Sequence, residues 1–194
     1  MISTLASAPE KSLIVLQPCG HNPTGCDLSR EHWKELSALF LKNKLIPFFD
    51  LAYMGLAKGI EDDVWPLKYF ASQGHEYLTA FSCSKSFGLY GQRTGALFVN
   101  SKGDCPGVPS LLQTLIRSTY SNPPRYGAKL VTLILENQNL RKIWEQELLE
   151  MQKRIQVMRE HLLRSLQVSL GSTAFDFLKN RFGMFSFLDA PALR

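Results

Sequence analysis

Lys85 stands in a window of small and hydroxylated residues, Phe81 to Gly95 (FSCSKSFGLYGQRTG), with Ser82, Ser84 and Ser86 around it and Arg93 eight positions on. A lysine amine becomes nucleophilic near neutral pH when it is desolvated or set beside another cation, and it is then the usual protein partner for a Schiff base with an aldehyde. An arginine fork with hydroxyls nearby holds a phosphate through charge-assisted, bidentate hydrogen bonds. The window therefore offers a reactive amine beside an anion site. Taken alone, it also has the look of a Ser- and Gly-rich surface loop with a solvated lysine, the commoner outcome for so short a motif. Asn22, in a turn-rich HNPTG loop, and Asp50 and Tyr53, after an apolar run, are the other residues whose chemistry could join it.

The elements that must position these residues follow from the apolar pattern. Ser12 to Gln17 (SLIVLQ) is a short continuous apolar run, the signature of a strand buried on both faces, and Pro18 ends it. Asn22 precedes Pro23, so the loop is open either to a cis bond that would aim the asparagine or to an ordinary Asn-Pro turn. Ser29 caps a helix expected to run to about Asn43, with Trp33, Leu36, Leu39 and Phe40 on one face. A second strand, Leu45 to Phe49, stops at Asp50. That is where open α/β sheets bind ligands, and equally where a carboxylate caps a turn. Asp62 and Asp63 open a further helix, with Pro66 in its first turn and an end near Gly74.

A third strand, Tyr77 to Phe81, delivers the chain into the lysine window, and a fourth, Ala96 to Val99, leaves it. This order predicts an α/β fold with a mostly parallel, doubly wound sheet. Helices are expected through Leu111–Arg117 and Tyr126–Glu136, separated by the polar break STYSNPP. From Leu140 to Leu166 apolar residues recur in steps of three and four, marking one long helix that spans about 40 Å. Its Met and Leu stripe reads as packing. Arg181 to Leu188 (RFGMFSFL) is expected to be a strand of a smaller α+β domain. Residues 1–138 are thus read as a partial large domain, and 139–194 as a connecting helix with part of a small one.

Composition narrows the function classes. Of 194 residues 45% are apolar and 20% charged, which is globular rather than disordered. The net charge of +5 comes from scattered basic residues, which argues against nucleic-acid binding. No apolar run approaches the roughly 20 residues of a membrane helix, and no metal-ligand spacing stands out. Cys19, Cys26, Cys83 and Cys105 form no CxxC pair and read as reduced thiols of a cytoplasmic protein. The opening MISTLASAPEKSLIVLQP lacks the features of a signal peptide.

Taken in order, HNPTG, PFFDLAYMGLAKG, SCSKSFGLYGQRTG, TYSNPP and RFGMFSF resemble the class I (fold type I) aminotransferases that use pyridoxal 5'-phosphate. The match is nearest to their aspartate aminotransferase branch and covers nearly the whole chain. The resemblance implies that Lys85 holds the cofactor aldehyde as a Schiff base, yields it to a substrate amine and then shuttles a proton at the substrate Cα. It implies that Asp50 keeps the pyridine nitrogen protonated. Asn22 and Tyr53 would bond the ring oxygen, Asn22 also touching substrate, and Ser82 and Arg93 would bind the phosphate. Arg117, otherwise a helix C-terminal residue favourable to the dipole, would reach the neighbouring subunit's site in a homodimer and clasp a substrate's side-chain carboxylate.

The implied reaction is transamination between aspartate, or another dicarboxylic amino acid, and 2-oxoglutarate. Aromatic or broad-specificity transamination is the alternative within the class. Ser86, Gln92 and Leu51 stand where the branch usually has asparagine, glutamate and serine. Members of the branch are much longer, and their glycine-rich phosphate loop, ring-stacking aromatic and α-carboxylate arginine have no counterpart here. The chain is therefore expected to be an interior fragment, weak or inactive alone, with apolar faces such as Phe185 and Phe187 uncovered. A non-catalytic truncated remnant is the competing expectation.

Overall fold

The computed structural model describes residues 2–185. After a short helix, α1 (Ile2–Ala6), the chain forms β1 (Leu13–Leu16) and enters α2 (Arg30–Lys42). Ser29 starts α2 as expected: its hydroxyl accepts from the His32 N–H at 3.2 Å, and His32 Nδ1 accepts from the Ser29 N–H at 3.4 Å. Histidine here does the work of the glutamate in a capping box. β2 (Ile46–Leu51) lies parallel to β1 in the register Leu13↔Ile46 to Leu16↔Phe49. The strand runs two residues past the expected end, so Asp50 belongs to its last pleat rather than to the loop.

The helix expected to open at Asp62 and Asp63 is two helices, α3 (Ile60–Asp63) and α4 (Trp65–Ser72), meeting at Val64. Pro66 carries no N–H to continue the ladder, which places the break. β3 (Tyr77–Ser82) is parallel to β2, and after the one-turn α5 (Cys83–Ser86) the strand β4 (Gly95–Asn100) returns antiparallel. The sheet order is β1-β2-β3-β4. Because each parallel strand is added on the same side of the last, right-handed crossovers put α2 and α4 on one face. There Trp33, Leu36 and Phe40 of α2 and Phe70 of α4 pack on Leu16 and Phe49. The Phe70 ring meets Phe49 edge-on at 5.3 Å and Trp33 at 6.0 Å. On the other face, among the described residues, Leu13, Val15, Ile46, Leu97 and Val99 are exposed.

Beyond the sheet come α6 (Gly107–Thr119), α7 (Tyr126–Glu136) and α8 (Gln138–Leu170). α8 starts earlier and ends later than its apolar stripe. Asn137 Oδ1 caps its first amides at 3.0 and 3.1 Å, and Gly171, in the left-handed region at φ 58°, closes it. At its far end Leu163 packs with Phe175 and Leu178 of the following 3-10 turn, a small core of its own. Among the described residues the strand expected over Arg181–Leu188 does not form, although Arg181 itself is extended. Gly183 has φ 73°, which no strand residue adopts, and Phe182 N–H donates to Gly25 O at 2.8 Å instead. The rest of that stretch, including Phe187, lies outside the described residues. Phe185 is exposed, and its ring centroid lies 6.0 Å from that of Tyr53. No helix among the described residues is long and apolar enough to cross a membrane.

Candidate active site

Each parallel strand delivers one chemical group to the carboxyl edge of the sheet. The loop after β1 carries Asn22 on a cis Asn22-Pro23 bond. It is held by Asp27, whose two carboxylate oxygens accept from Gly20 N–H at 2.8 Å and His21 N–H at 2.9 Å. Gln17 Oε1 accepts from Asn22 N–H at 2.7 Å, and His21 Nδ1 meets Thr24 Oγ1 at 2.7 Å. The last turn of β2 carries Asp50, half-buried and on the pleat opposite Phe49 and Leu51. Its carboxylate makes no hydrogen bond or ion pair to any other described residue.

Tyr53 follows, buried, and its hydroxyl oxygen accepts from Asn22 Nδ2 at 3.2 Å. The loop beyond it wraps a buried carboxylate. Asp63 accepts from the N–H groups of Gly55 at 2.8 Å, Ala57 at 3.2 Å and Lys58 at 2.9 Å. Burial raises the Asp63 pKa from 3.8 to about 6 against the pull of those three amides. Burial, reinforced by Asp63 and Asp27, likewise pushes the Cys19 thiol well up, so Cys19 sits neutral between the two carboxylates.

β3 ends at Ser82, whose hydroxyl accepts from Ser84 N–H at 3.2 Å and starts the turn that carries Lys85. Lys85 is half-buried, with Nζ 4.8 Å from the Tyr53 ring centroid, and no carboxylate pairs with it among the described residues. A cation over the electron-rich face of a tyrosine is a favourable contact that leaves the amine chemically available. The antiparallel return then brings in Arg93. Ser82 pairs with Gly95, and Cys83 N–H donates to Thr94 O at 3.0 Å, so Arg93 comes to the same sheet end as Ser82. Arg93 is itself in the left-handed region at φ 50°, and among the described residues its only hydrogen bond runs from Nη1 to Tyr90 O at 3.1 Å.

Arg117 is the exception. It lies exposed in the last turn of α6, a helix with no buried residue, and its Nη1 donates to Ser121 Oγ at 2.8 Å. It does not line the cavity of about 560 Å³ that Lys85 shares with Leu56, Met151, Met158 and Arg159.

Sequence reasoning missed the residues that hold this edge in place. Trp144 of α8 reads in the sequence as one more member of a packing stripe. Its Nε1–H donates to Ser86 O at 2.7 Å, and its ring stacks on Phe87 at 4.5 Å, fixing the lysine turn from the helix side. Gln152 of α8 donates to Ala57 O at 3.1 Å on the tyrosine loop. Asp27 and Asp63 gave a weak signal only, as acidic residues close behind two Gly-containing loops. Together, among the described residues, the edge presents an amine and a half-buried carboxylate that pair with no other side chain by ion pair, an amide–phenol pair and an arginine with unused donors. That donor set fits an aldehyde-bearing aromatic phosphate: amine for the aldehyde, carboxylate for a ring nitrogen, amide and phenol for a ring oxygen, hydroxyl and guanidinium for the phosphate.

Comparison with known proteins agrees. The family model for aminotransferase class I and II matches residues 1–194. The chain is 39% identical over 189 residues to an aspartate aminotransferase of Pseudomonas aeruginosa, covering 96% of this chain and 48% of that relative. It is 38% identical over 194 residues to an aromatic-amino-acid aminotransferase of Escherichia coli, covering 99% of this chain and 49% of that one. Its fold superposes with a TM-score of 0.91, at 36% identity, on an aromatic-amino-acid aminotransferase from Burkholderia pseudomallei solved with covalently bound pyridoxal phosphate. That match covers 96% of this chain and 47% of that structure. The chain thus spans about half the length of the relatives it matches. By fold, by the residues gathered at the sheet edge and by these matches, the chain belongs to the class I and II aminotransferase family.

Proposed function

We propose that the chain forms the cofactor-anchoring part of a pyridoxal 5'-phosphate-dependent aminotransferase that exchanges the amino group of aspartate, or another dicarboxylic amino acid, with 2-oxoglutarate. The observation that carries this reading is the Lys85 amine, free of any carboxylate among the described residues and poised over the Tyr53 ring whose hydroxyl meets Asn22. Pyridoxal 5'-phosphate supplies an aldehyde that captures amines and a ring that stores the electron pair left at the substrate Cα. Lys85 would hold the cofactor through Nζ and, as an amine beside the substrate, would take and return the Cα proton. Asp50 holds a proton on the ring nitrogen. Asn22 and Tyr53 donate to the ring oxygen, which Tyr53 can do because its own oxygen is already accepting from Asn22. Ser82 and Arg93 bind the phosphate.

Arg117 serves a neighbouring copy in a homodimer, binding the substrate's side-chain carboxylate. Its exposure and its absence from the lining of the Lys85 cavity support that assignment over a role in its own site. A second reading, acceptance of aromatic substrates, is favoured by the apolar lining that Met151, Met158 and Leu56 give the Lys85 cavity and by the aromatic aminotransferases among its relatives. We assign the activity to the cytoplasm, where the four free thiols stay reduced.

The test is an absorbance spectrum of the purified chain with pyridoxal 5'-phosphate, before and after borohydride, beside Lys85→Ala. A reducible band absent from the variant supports the reading. Identical spectra for the two proteins would overturn it in favour of a non-catalytic remnant.

A further inference from the structure

We propose that Asp27 and Asp63 are paired positioning residues, each anchoring one of the two loops that carry Asn22 and Tyr53 and so setting the spacing of those two donors. What the donors bind rests on the reading above, but the anchoring itself does not.

Neither donor sits on a regular element. Asn22 follows β1 by several residues, and Tyr53 follows β2 at the head of a loop that forms no helix before Ile60. Loop backbone of this kind has no ladder to fix it, and ordering each residue costs conformational entropy. Each loop instead folds around a single carboxylate. Asp27 takes two consecutive amides, Gly20 and His21, immediately before Asn22. Asp63 takes three amides, Gly55, Ala57 and Lys58, immediately after Tyr53. Amides donating to an ionised carboxylate make stronger bonds than amides donating to a neutral oxygen.

The two anchored loops also touch. A Cβ placed on Gly20 would lie 3.1 Å from Tyr53 Cβ, so the path of one loop limits the path of the other. Cys19, buried, packs in one apolar cluster with Tyr53 and Ala57 of the second loop. Phe182 also joins the same two loops, its N–H donating to Gly25 O at 2.8 Å and its ring lying 4.2 Å from Lys58 Nζ. The 3.2 Å contact between Asn22 Nδ2 and the Tyr53 hydroxyl is thus the product of two backbone anchors, not of the two side chains alone.

The experiment has two arms on the full chain. In the cofactor-free chain, amide hydrogen exchange is followed in the parent, Asp27→Asn, Asp63→Asn and a stability control, Ser37→Ala, which loses the buried 2.7 Å contact to His75. The amides of Gly20 and His21 are expected to exchange about tenfold faster in Asp27→Asn, and those of Gly55, Ala57 and Lys58 about tenfold faster in Asp63→Asn, with neither set singled out in the control. The parent already discriminates should a variant fail to fold: these five amides must exchange more slowly than that of the open-loop Gly103.

In the second arm, pyridoxal 5'-phosphate is added and the pH midpoint of its bound absorbance band is measured. Asp27→Asn is expected to raise the midpoint as Asn22→Ala does, and the double variant to shift it no further than Asn22→Ala alone. Unchanged exchange in both variants overturns the anchoring. Faster exchange with an unmoved midpoint reduces the pair to a structural role and overturns the positioning. A chain that captures no cofactor overturns the preceding section instead, and the exchange arm still decides on the anchors.

Discussion

Asp63 makes the pH dependence of stability calculable. It is 2% exposed, and its pKa stands at about 6 against 3.8 for an unperturbed group. A carboxyl whose pKa is raised on folding binds its proton more tightly in the folded chain, so between about pH 4 and 6 the folded state holds more protons than the unfolded one. Stability conferred by that proton is fully present below the unfolded pKa and is lost as the pH rises through the folded value. At roughly 1.4 kcal/mol per unit, a rise from 3.8 to about 6 corresponds to about 3 kcal/mol, all of it lost by neutral pH. The assay is urea unfolding at intervals from pH 4 to 7 for the parent and Asp63→Asn, whose amide does not titrate. The parent should lose about 3 kcal/mol relative to the variant across that window, most steeply between pH 4 and 6. Parallel curves for the two proteins would refute the claim that Asp63 is a desolvated carboxyl, and with it the tight burial of the loop that encloses it.

Three other outcomes follow from the packing. Trp144→Phe keeps the stacking on Phe87 but loses the donor to Ser86 O, which should cost about 1 kcal/mol in thermal unfolding and slow the capture of cofactor by Lys85. A Cβ at Gly127 would clash with Thr94 Oγ1, so Gly127→Ala should destabilise by about 1–3 kcal/mol and weaken inorganic phosphate binding through the adjoining Arg93. Thr94→Ala in the same chain should restore part of both. Arg117→Ala, at an exposed position, should leave the unfolding midpoint within about 0.5 kcal/mol of the parent and leave cofactor capture unchanged, as equilibrium unfolding and absorbance titration would report.

The strands and most helices were legible in the sequence because continuous apolar runs and caps are local signals. Ser29, whose hydroxyl accepts from an amide in the first turn of α2, shows how far such signals reach, whereas the Asn137 cap of α8 was not read. Orientation was less legible. An apolar run does not carry its direction, so the antiparallel return of β4 was not read from the sequence. The site divided in the same way. Lys85, Asp50, Tyr53, Asn22, Ser82 and Arg93 could be proposed because the motifs that carry them fall at strand ends, and the fold brings those ends to one edge.

Trp144 could not be found so. A helical stripe reports which face is apolar, not that one indole N–H will reach a carbonyl 58 residues away in the chain. Asp63 was read as a helix-opening charge, because nothing local distinguishes a solvated carboxylate from one enclosed by its preceding loop. Gly183 was read as part of an alternating strand, although its left-handed backbone ends any strand there.

The central claim is that Lys85 is the residue that captures the cofactor aldehyde, and site mapping tests it most directly. The full chain is incubated with pyridoxal 5'-phosphate, reduced with borohydride, digested and read by mass spectrometry. The account predicts a pyridoxyl adduct on the peptide carrying Lys85, reached at cofactor concentrations that leave exposed lysines such as Lys34 and Lys102 unmodified. An adduct spread evenly over surface lysines, with Lys85 no more modified than they are, would contradict it.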